Sequence, residues 1–281
     1  MLNIVTALNS EAQPIIEHFS LARLQTGHPM RVFTNDDIRL IVSGIGNVRS
    51  AASVGYLAGL DGLLPGSPND DSSRQHNAWI NVGIAGHSHA EIGACFTADK
   101  IIDGRSGDTA YPSIPYATEI PSACLCTVER PEVNYPDSSL YDMEGYGFFL
   151  AAQRFSSVEL ISLLKVVSDN RDNHVNQINK GFVRSLIENA IREVEFTLKA
   201  LRSLNAEPAL SAEHVVIPWE NMWRTTHSQK QILHDMHHRL FLLNKGIDVA
   251  LLVSNCQTAH EAIAALNKKL TNTQLRLSPT P

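Results

Sequence analysis

Short apolar runs rich in β-branched residues alternate with helical patterns along the first two thirds of the chain. Runs of this length and composition are typical of buried strands, and the helical patterns between them favour an α/β sheet. Ligands of such sheets bind where the strands end, so we expect the functional residues to follow these runs. The predicted strands are Asn3–Ala7, Arg39–Ser43, Trp79–Gly83, Thr97–Ile102 and Leu160–Val167.

The overall composition limits the classes of partner. Hydrophobic residues make up 43% of the chain and no apolar run reaches the length of about 18 residues that a membrane span needs. The net charge of −6 disfavours nucleic acid or an anionic membrane as the main partner. The N-terminal residues lack the basic stretch of a signal peptide, and the four scattered cysteines are typical of reduced thiols. We therefore expect a cytoplasmic protein.

Helical periodicity predicts the remaining elements of the first domain. A helix is expected to begin near Ser10, whose hydroxyl forms a capping box with Gln13, and a second helix is expected over Val48–Leu60. Apolar residues step by three and four from Gly181 to Leu204, which predicts one long amphipathic helix. This helix is expected to close the domain.

The periodicity stops after this helix, and a second unit follows. Residues 205–217 show no helical period, whereas a helix is predicted from Thr258 with Glu261 completing its cap. We therefore expect a domain over residues 1–204 and a mainly helical extension over residues 205–281.

Polar and small residues follow the predicted strands, and each of them also has a purely structural explanation. Glu11 lies in the first turn of a helix, where the helix dipole stabilises any carboxylate. The turns 43–47 and 81–86 contain two glycines each, but the first lacks the third glycine of a dinucleotide fingerprint and the second could be a tight turn. Asp169 follows the last predicted strand, where it could instead cap a helix.

Five segments taken in order resemble the nucleoside phosphorylase superfamily, and within it the methylthioadenosine/S-adenosylhomocysteine nucleosidases. The resemblance covers roughly residues 1–204 and is carried by ALNSEA, SGIGNV, NVGIAG, YDMEG and KVVSD. It implies a mixed, partly barrel-like central sheet flanked by helices. It further implies a small-molecule nucleoside as substrate, no cofactor, no catalytic metal and a homodimer.

The resemblance also implies roles for individual side chains. Glu11 matches the carboxylate that activates the attacking water, and Asp169 matches the acid that protonates the purine at N7. Glu144 matches the residue that holds the ribose hydroxyls, with Met143 packing beside the sugar. One acid and one base suit a reaction that passes through an oxocarbenium-like state. Further substrate contacts are expected for Ser168, Gly83 and Ala85.

The chain departs from the nucleosidases at Ile84, which replaces a serine that they keep near the water and ribose, at Lys165 and over the segment 126–142, whereas Asn81 fits the hydrolytic branch. Asn81 and Ile84 replace the arginine and serine that bind phosphate in phosphorylases, which favours water as the nucleophile. Lys165 stands where the nucleosidases carry arginine. The segment 126–142 is short and lacks the phenylalanine expected to stack on the purine, a place that Tyr135 could take. Two alternatives therefore stay open: a nucleoside-binding protein without turnover and a phosphate-dependent phosphorylase.

The C-terminal extension has no counterpart in the minimal family. His234 and His238 are four residues apart on one helical face, a spacing that suits either a metal or a polar face at a subunit contact. We expect no metal at this site because no third ligand is evident in the sequence. Trp219 and Trp223 are predicted to anchor the extension to the first domain.

Overall fold

The computed structural model describes residues 1–24, 30–60, 77–206 and 248–274, and between them 222–226, 229, 232–233, 236–237 and 240. The chain divides into two compact units, Met1–Ala209 and Leu210–Pro281, and each is described by itself. Trp219, His234 and His238 lie outside the described residues. No helix within the described ranges has the length and apolar character that crossing a bilayer requires.

A single mixed sheet forms the centre of the first unit. Strands β4, β1, β5 and β10 are parallel neighbours in that order. Beyond β10 the sheet curls through β6, β8 and β9 and returns to β5, so five strands close into a ring. This is the predicted partly barrel-like sheet. The strands are β1 (Leu2–Thr6), β2 (Ala22–Arg23), β3 (Arg31–Thr34), β4 (Ile38–Val42), β5 (Ala78–His87), β6 (Cys95–Asp103), β7 (Thr109–Ala110), β8 (Ser122–Thr127), β9 (Leu140–Asp142) and β10 (Ile161–Asp169).

Two apolar cores cover the two faces of this sheet. Helices α1 (Asn9–His18), α4 (Lys180–Asn189) and α5 (Ile191–Ala206) bury their apolar stripes on one face. Helices α2 (Asn47–Leu60) and α3 (Gly145–Ala152) bury theirs on the other face. Because helices cover both faces, the parallel strands β1, β5 and β10 are buried along almost their whole length, which explains their continuous apolar runs in the sequence.

Two of the helix predictions are wrong in detail. The stretch predicted as one helix over Gly181–Leu204 is two helices that meet at Ala190, directly after Asn189, a residue that favours helix ends over helix interiors. Helix α1 begins at Asn9 with Leu8 at its N-cap, so Ser10 does not open it. The carboxylate of Glu11 takes over the capping function, as described below.

The described part of the second unit is helical. It contains α6 (Val249–Val253) and α7 (Ala259–Gln274). The predicted cap of the last helix is present, because the Glu261 backbone amide donates to the Thr258 hydroxyl over 3.2 Å. The Trp223 indole donates to the carbonyl of Cys256 over 2.9 Å and packs in the unit's own apolar core. Its predicted anchoring to the first domain stays a prediction.

Candidate active site

Glu11 lies in the first turn of α1 with its carboxylate directed back toward β5. Its Oε2 accepts hydrogen bonds from the backbone amides of Ala7 and Leu8 at 2.9 and 2.8 Å, and its Oε1 accepts one from the amide of Ile84 at 3.0 Å. The side chain is 2% exposed. Burial raises the pKa of Glu11 above its usual value, although these amides and the charge of Lys165 act in the opposite direction. The Glu11 carboxylate is therefore fixed in position by the backbone and almost completely excluded from solvent.

Glu144 lies at the N-cap of α3 and reaches across to the glycine-rich turn after β4. Its Oε1 accepts a hydrogen bond from the backbone amide of Gly46 at 2.7 Å. Gly46 has a φ of 111°, a conformation that suits glycine and strains other residues. Gly46 in this turn therefore helps to hold the Glu144 carboxylate in position. The two residues are 98 positions apart in the sequence, and the sequence pattern did not indicate this contact.

A buried ion pair connects β10 with β9. The Lys165 Nζ lies 2.7 Å from Asp142 Oδ2, and both side chains are at most 1% exposed. Asp142 also accepts hydrogen bonds from the Thr127 hydroxyl at 2.7 Å and the Gly145 amide at 2.8 Å. The remaining acceptor capacity of Asp142 is thereby satisfied, which a buried ion pair requires to be stable.

Three carboxylates surround the charge of Lys165. Burial alone lowers the pKa of Lys165, but Asp142, Glu144 and Glu11 raise it, and the net result is above the usual value. Burial and the negative charge of Asp142 raise the pKa of Glu144 to about 7. The two site carboxylates and Asp142 thus share one cation, so the group carries net negative charge when all three acids are ionised.

Asp169 is the last residue of β10 and is 5% exposed. Its Oδ2 accepts a hydrogen bond from the Tyr135 hydroxyl and its Oδ1 accepts one from the Ser168 hydroxyl. The next helical residues begin at Val175, so Asp169 does not cap a helix and the structural alternative considered for it is wrong. Lys165 is paired with Asp142 rather than with Asp169.

The predicted acid Asp169 and the predicted base Glu11 both contact β5, at residues two positions apart. Glu11 accepts from the amide of Ile84 on β5, and Asp169 is paired with Gly86 two residues further along. Two residues of extended strand span roughly 7 Å, a distance on the order of that between an acid and a base with a sugar ring and a water between them. The carboxylates of Glu11 and Glu144 both interact with the charge of Lys165. Asp169 lies further along β10, beside Gly86.

The other predicted contacts occupy varied positions around these groups. Met143 is partly exposed between Asp142 and Glu144, and the Ala85 carbonyl lies 3.4 Å from the Ser168 hydroxyl. A Cβ atom at Gly83 would lie 3.0 Å from Glu11 Oε1 and 3.5 Å from Lys165 Nζ. The absence of a side chain at Gly83 therefore leaves room for the charged groups, and its contact with substrate stays a prediction.

Within the described residues, no three histidine, cysteine, aspartate or glutamate side chains are grouped so that they could hold a metal ion. Lys165 itself fills the space among Asp142, Glu144 and Glu11 that a cation would take.

Comparisons with solved structures place this arrangement in a known fold. The chain is similar to the 5′-methylthioadenosine/S-adenosylhomocysteine nucleosidase of Helicobacter pylori, with a TM-score of 0.54 and 16% identity over 71% of this chain and 97% of that one. The enzyme of the same name from S. pneumoniae gives a TM-score of 0.53 and 19% identity over 71% and 99%. Futalosine hydrolase of Helicobacter pylori gives 0.54 and 15% over 71% and 97%.

These neighbours define the class of fold. Over the 71% of its length that they cover, the chain has the fold of these solved nucleosidases, a fold that the sequence resemblance predicted. No protein-family model matches the sequence, and no curated protein matches it either.

Proposed function

We propose that the protein hydrolyses the N-ribosidic bond of a purine nucleoside of the adenine type and releases the free base. One observation carries the proposal: Glu11, Glu144 and Asp169, which lie after β1, after β9 and at the end of β10, are buried in a nucleosidase fold. The backbone contacts of Glu11 and Glu144 do not by themselves require three buried acids, whereas an acid and a base are what the reaction requires.

Each carboxylate has a role that its surroundings support. Glu11 acts as the general base toward water, because burial raises its pKa toward the pH at which a base works well. Asp169 is assigned the role of general acid toward the departing base, and the Ser168 hydroxyl orients its carboxyl group. Glu144 accepts hydrogen bonds from the ribose hydroxyls, with Met143 beside the sugar, while the Gly46 amide fixes its orientation.

Lys165 keeps these acids in place without providing a phosphate site. Its ammonium group is occupied by Asp142, and the amide of Ile84 donates to Glu11. Asn81, which stands where phosphorylases carry an arginine, donates its side-chain amide to the Val5 carbonyl at 3.0 Å. These groups are engaged within the protein, so the geometry favours water over phosphate as the nucleophile.

A second candidate is a nucleoside-binding protein that does not turn over. The hydroxyl of Tyr135 occupies Asp169 Oδ2, the oxygen that would meet a leaving base, and this contact favours the candidate. Binding of a nucleoside without release of base, measured by calorimetry beside chromatography, would establish it.

We further propose a homodimer in the cytoplasm, with residues 1–204 as the catalytic domain and residues 205–281 as an extension. The side chains of Ile45, Val48 and Leu150 are exposed on or beside α2 and α3, an apolar area that a second copy would cover. The four cysteines are free. Light scattering during gel filtration tests the dimer, and a monomeric mass across concentrations contradicts it.

The activity is tested by incubating the full chain with 5′-methylthioadenosine, S-adenosylhomocysteine, adenosine and inosine, followed by chromatography for free base. The proposal predicts base release from an adenine nucleoside at the same rate with and without phosphate. Release that requires phosphate and yields ribose 1-phosphate would establish a phosphorylase instead. No release from any of the four at high protein concentration would remove the proposal.

A further inference from the structure

Tyr135 is a buried residue in a mostly exposed connection between β8 and β9. Its side chain is 1% exposed, whereas its neighbours Asn134, Pro136 and Asp137 are exposed to solvent. An aromatic side chain on a surface loop becomes buried where a site or a core offers space for its ring. Here the ring enters the space beside Asp169.

The receiving space is shaped for this ring. A Cβ atom at Gly86 would lie 2.8 Å from both the Tyr135 ring and Asp169 Oδ2, so only a glycine at this position admits the two groups together. The Tyr135 hydroxyl donates to Asp169 Oδ2, and its ring meets Tyr141 at 6.0 Å with an edge contact. The phenol therefore contacts the carboxyl group of Asp169, which the proposed function assigns as the general acid toward the leaving base.

The backbone of Tyr135 is strained in this inward position. Its φ of 46° lies in the left-handed region, which is unfavourable for a residue with a Cβ. The Arg171 side chain donates to the Tyr135 carbonyl at 2.7 Å and latches the loop from outside. Such a segment is easier to move than a packed core element, and leaving this position relieves its backbone strain.

We propose that Tyr135 is a gate residue of the base subsite, whose phenol covers Asp169 until an incoming purine displaces it. The inference rests on the proposed function for the location of that subsite. A planar ring that donates a hydrogen bond to Asp169 Oδ2 imitates the protonated N7 edge of a departing purine. Phenol and purine compete for one oxygen, so they cannot occupy the subsite together.

The gate predicts that loosening the phenol strengthens binding of the base. The observed dissociation constant equals the intrinsic one divided by the open fraction, so a variant that opens more often binds more tightly. Y135F removes the hydroxyl and keeps the ring. Because the phenol then loses its hydrogen bond to Asp169, we expect adenine to bind about tenfold more tightly to Y135F than to the wild type.

Two further variants separate the gate from a general effect on folding. R171Q removes the outer latch from an exposed position and leaves the Tyr135 side chain intact, so adenine is expected to bind it more tightly as well. Y116F is the matched control, since it deletes the hydroxyl of a partly buried tyrosine that faces Ser162 at 3.4 Å on another part of the sheet. Its affinity is expected to equal that of the wild type.

The measurements are calorimetric titration of each full-length variant with adenine, and amide hydrogen exchange of residues 129–139 with and without saturating adenine. We expect adenine to speed exchange in this segment of the wild type. Equal adenine affinities for Y135F, R171Q and the wild type would overturn the gate, as would exchange that adenine leaves unchanged or a failure of adenine to bind any variant. If the affinities shift as predicted but no nucleoside is cleaved, the gate stands and the proposed hydrolysis fails.

Discussion

Replacing Lys165 by methionine tests how the site carboxylates are kept buried. Methionine is similar in length, so the change removes a charge while nearly preserving volume. Asp142 Oδ2 then loses a partner at 2.7 Å, and Glu144 and Glu11 lose their nearby cation. Removal of one partner from a buried pair costs about 3–5 kcal/mol, so K165M should lose that much free energy of unfolding, a large part of the roughly 5–15 kcal/mol typical of a domain.

Urea unfolding at pH 7 of the wild type, K165M and the double variant K165M/D142N measures this loss. The double variant removes both charges and should recover most of the lost stability, because no unpaired ion remains at the position of the pair. K199M is the control, since Lys199 forms an equally short but exposed pair with Glu195, and such pairs contribute little. A loss below about 1 kcal/mol in K165M, or no recovery in the double variant, would refute the reasoning.

Two further predictions concern Glu144 and Gly86. The folded pKa of Glu144 is about 7 against 4.5 for the free side chain, so the stability that its proton contributes is present below about pH 4.5 and is lost as the pH rises to about 7. E144Q should therefore gain about 3 kcal/mol relative to the wild type between pH 4.5 and 8, measured by urea unfolding, and a constant difference contradicts this. G86A places a Cβ atom 2.8 Å from Asp169 Oδ2 and should lower kcat/KM about a hundredfold. The control G55A lies at an open position of α2 and should keep the wild-type kcat/KM. Equal activities of G86A and G55A would contradict the prediction.

The fold was predictable because burial on both faces makes the parallel strands β1, β5 and β10 largely apolar. All five predicted strands are present, and β5 and β10 extend beyond their predicted ends. Glu11 and Asp169 were recognisable as site candidates because each lies where a strand ends, a position that a core does not require to be acidic. Local spacing carries this kind of information.

The contacts that complete the site depend on how distant segments close on one another. Lys165 meets Asp142 because the sheet curls into a ring, and the spacing of neither residue predicts that closure. Tyr135 was considered as a ring stacked on the base, whereas it donates a hydrogen bond to Asp169. The direction of a side chain on an irregular loop follows from the cavity that receives it, and here that cavity exists because of Gly86.

The most direct test of the account is single-turnover release of adenine from 5′-methylthioadenosine by the wild type, D169N and E11Q, with E17Q as a control on an exposed face of α1. Loss of a positioned acid or base typically lowers the rate about 10²–10⁴-fold, so D169N and E11Q should each be slower by that factor while E17Q keeps the wild-type rate. Each variant must retain the cooperative unfolding of the wild type. Wild-type rates in D169N or E11Q would contradict the claim that these two carboxylates perform the chemistry.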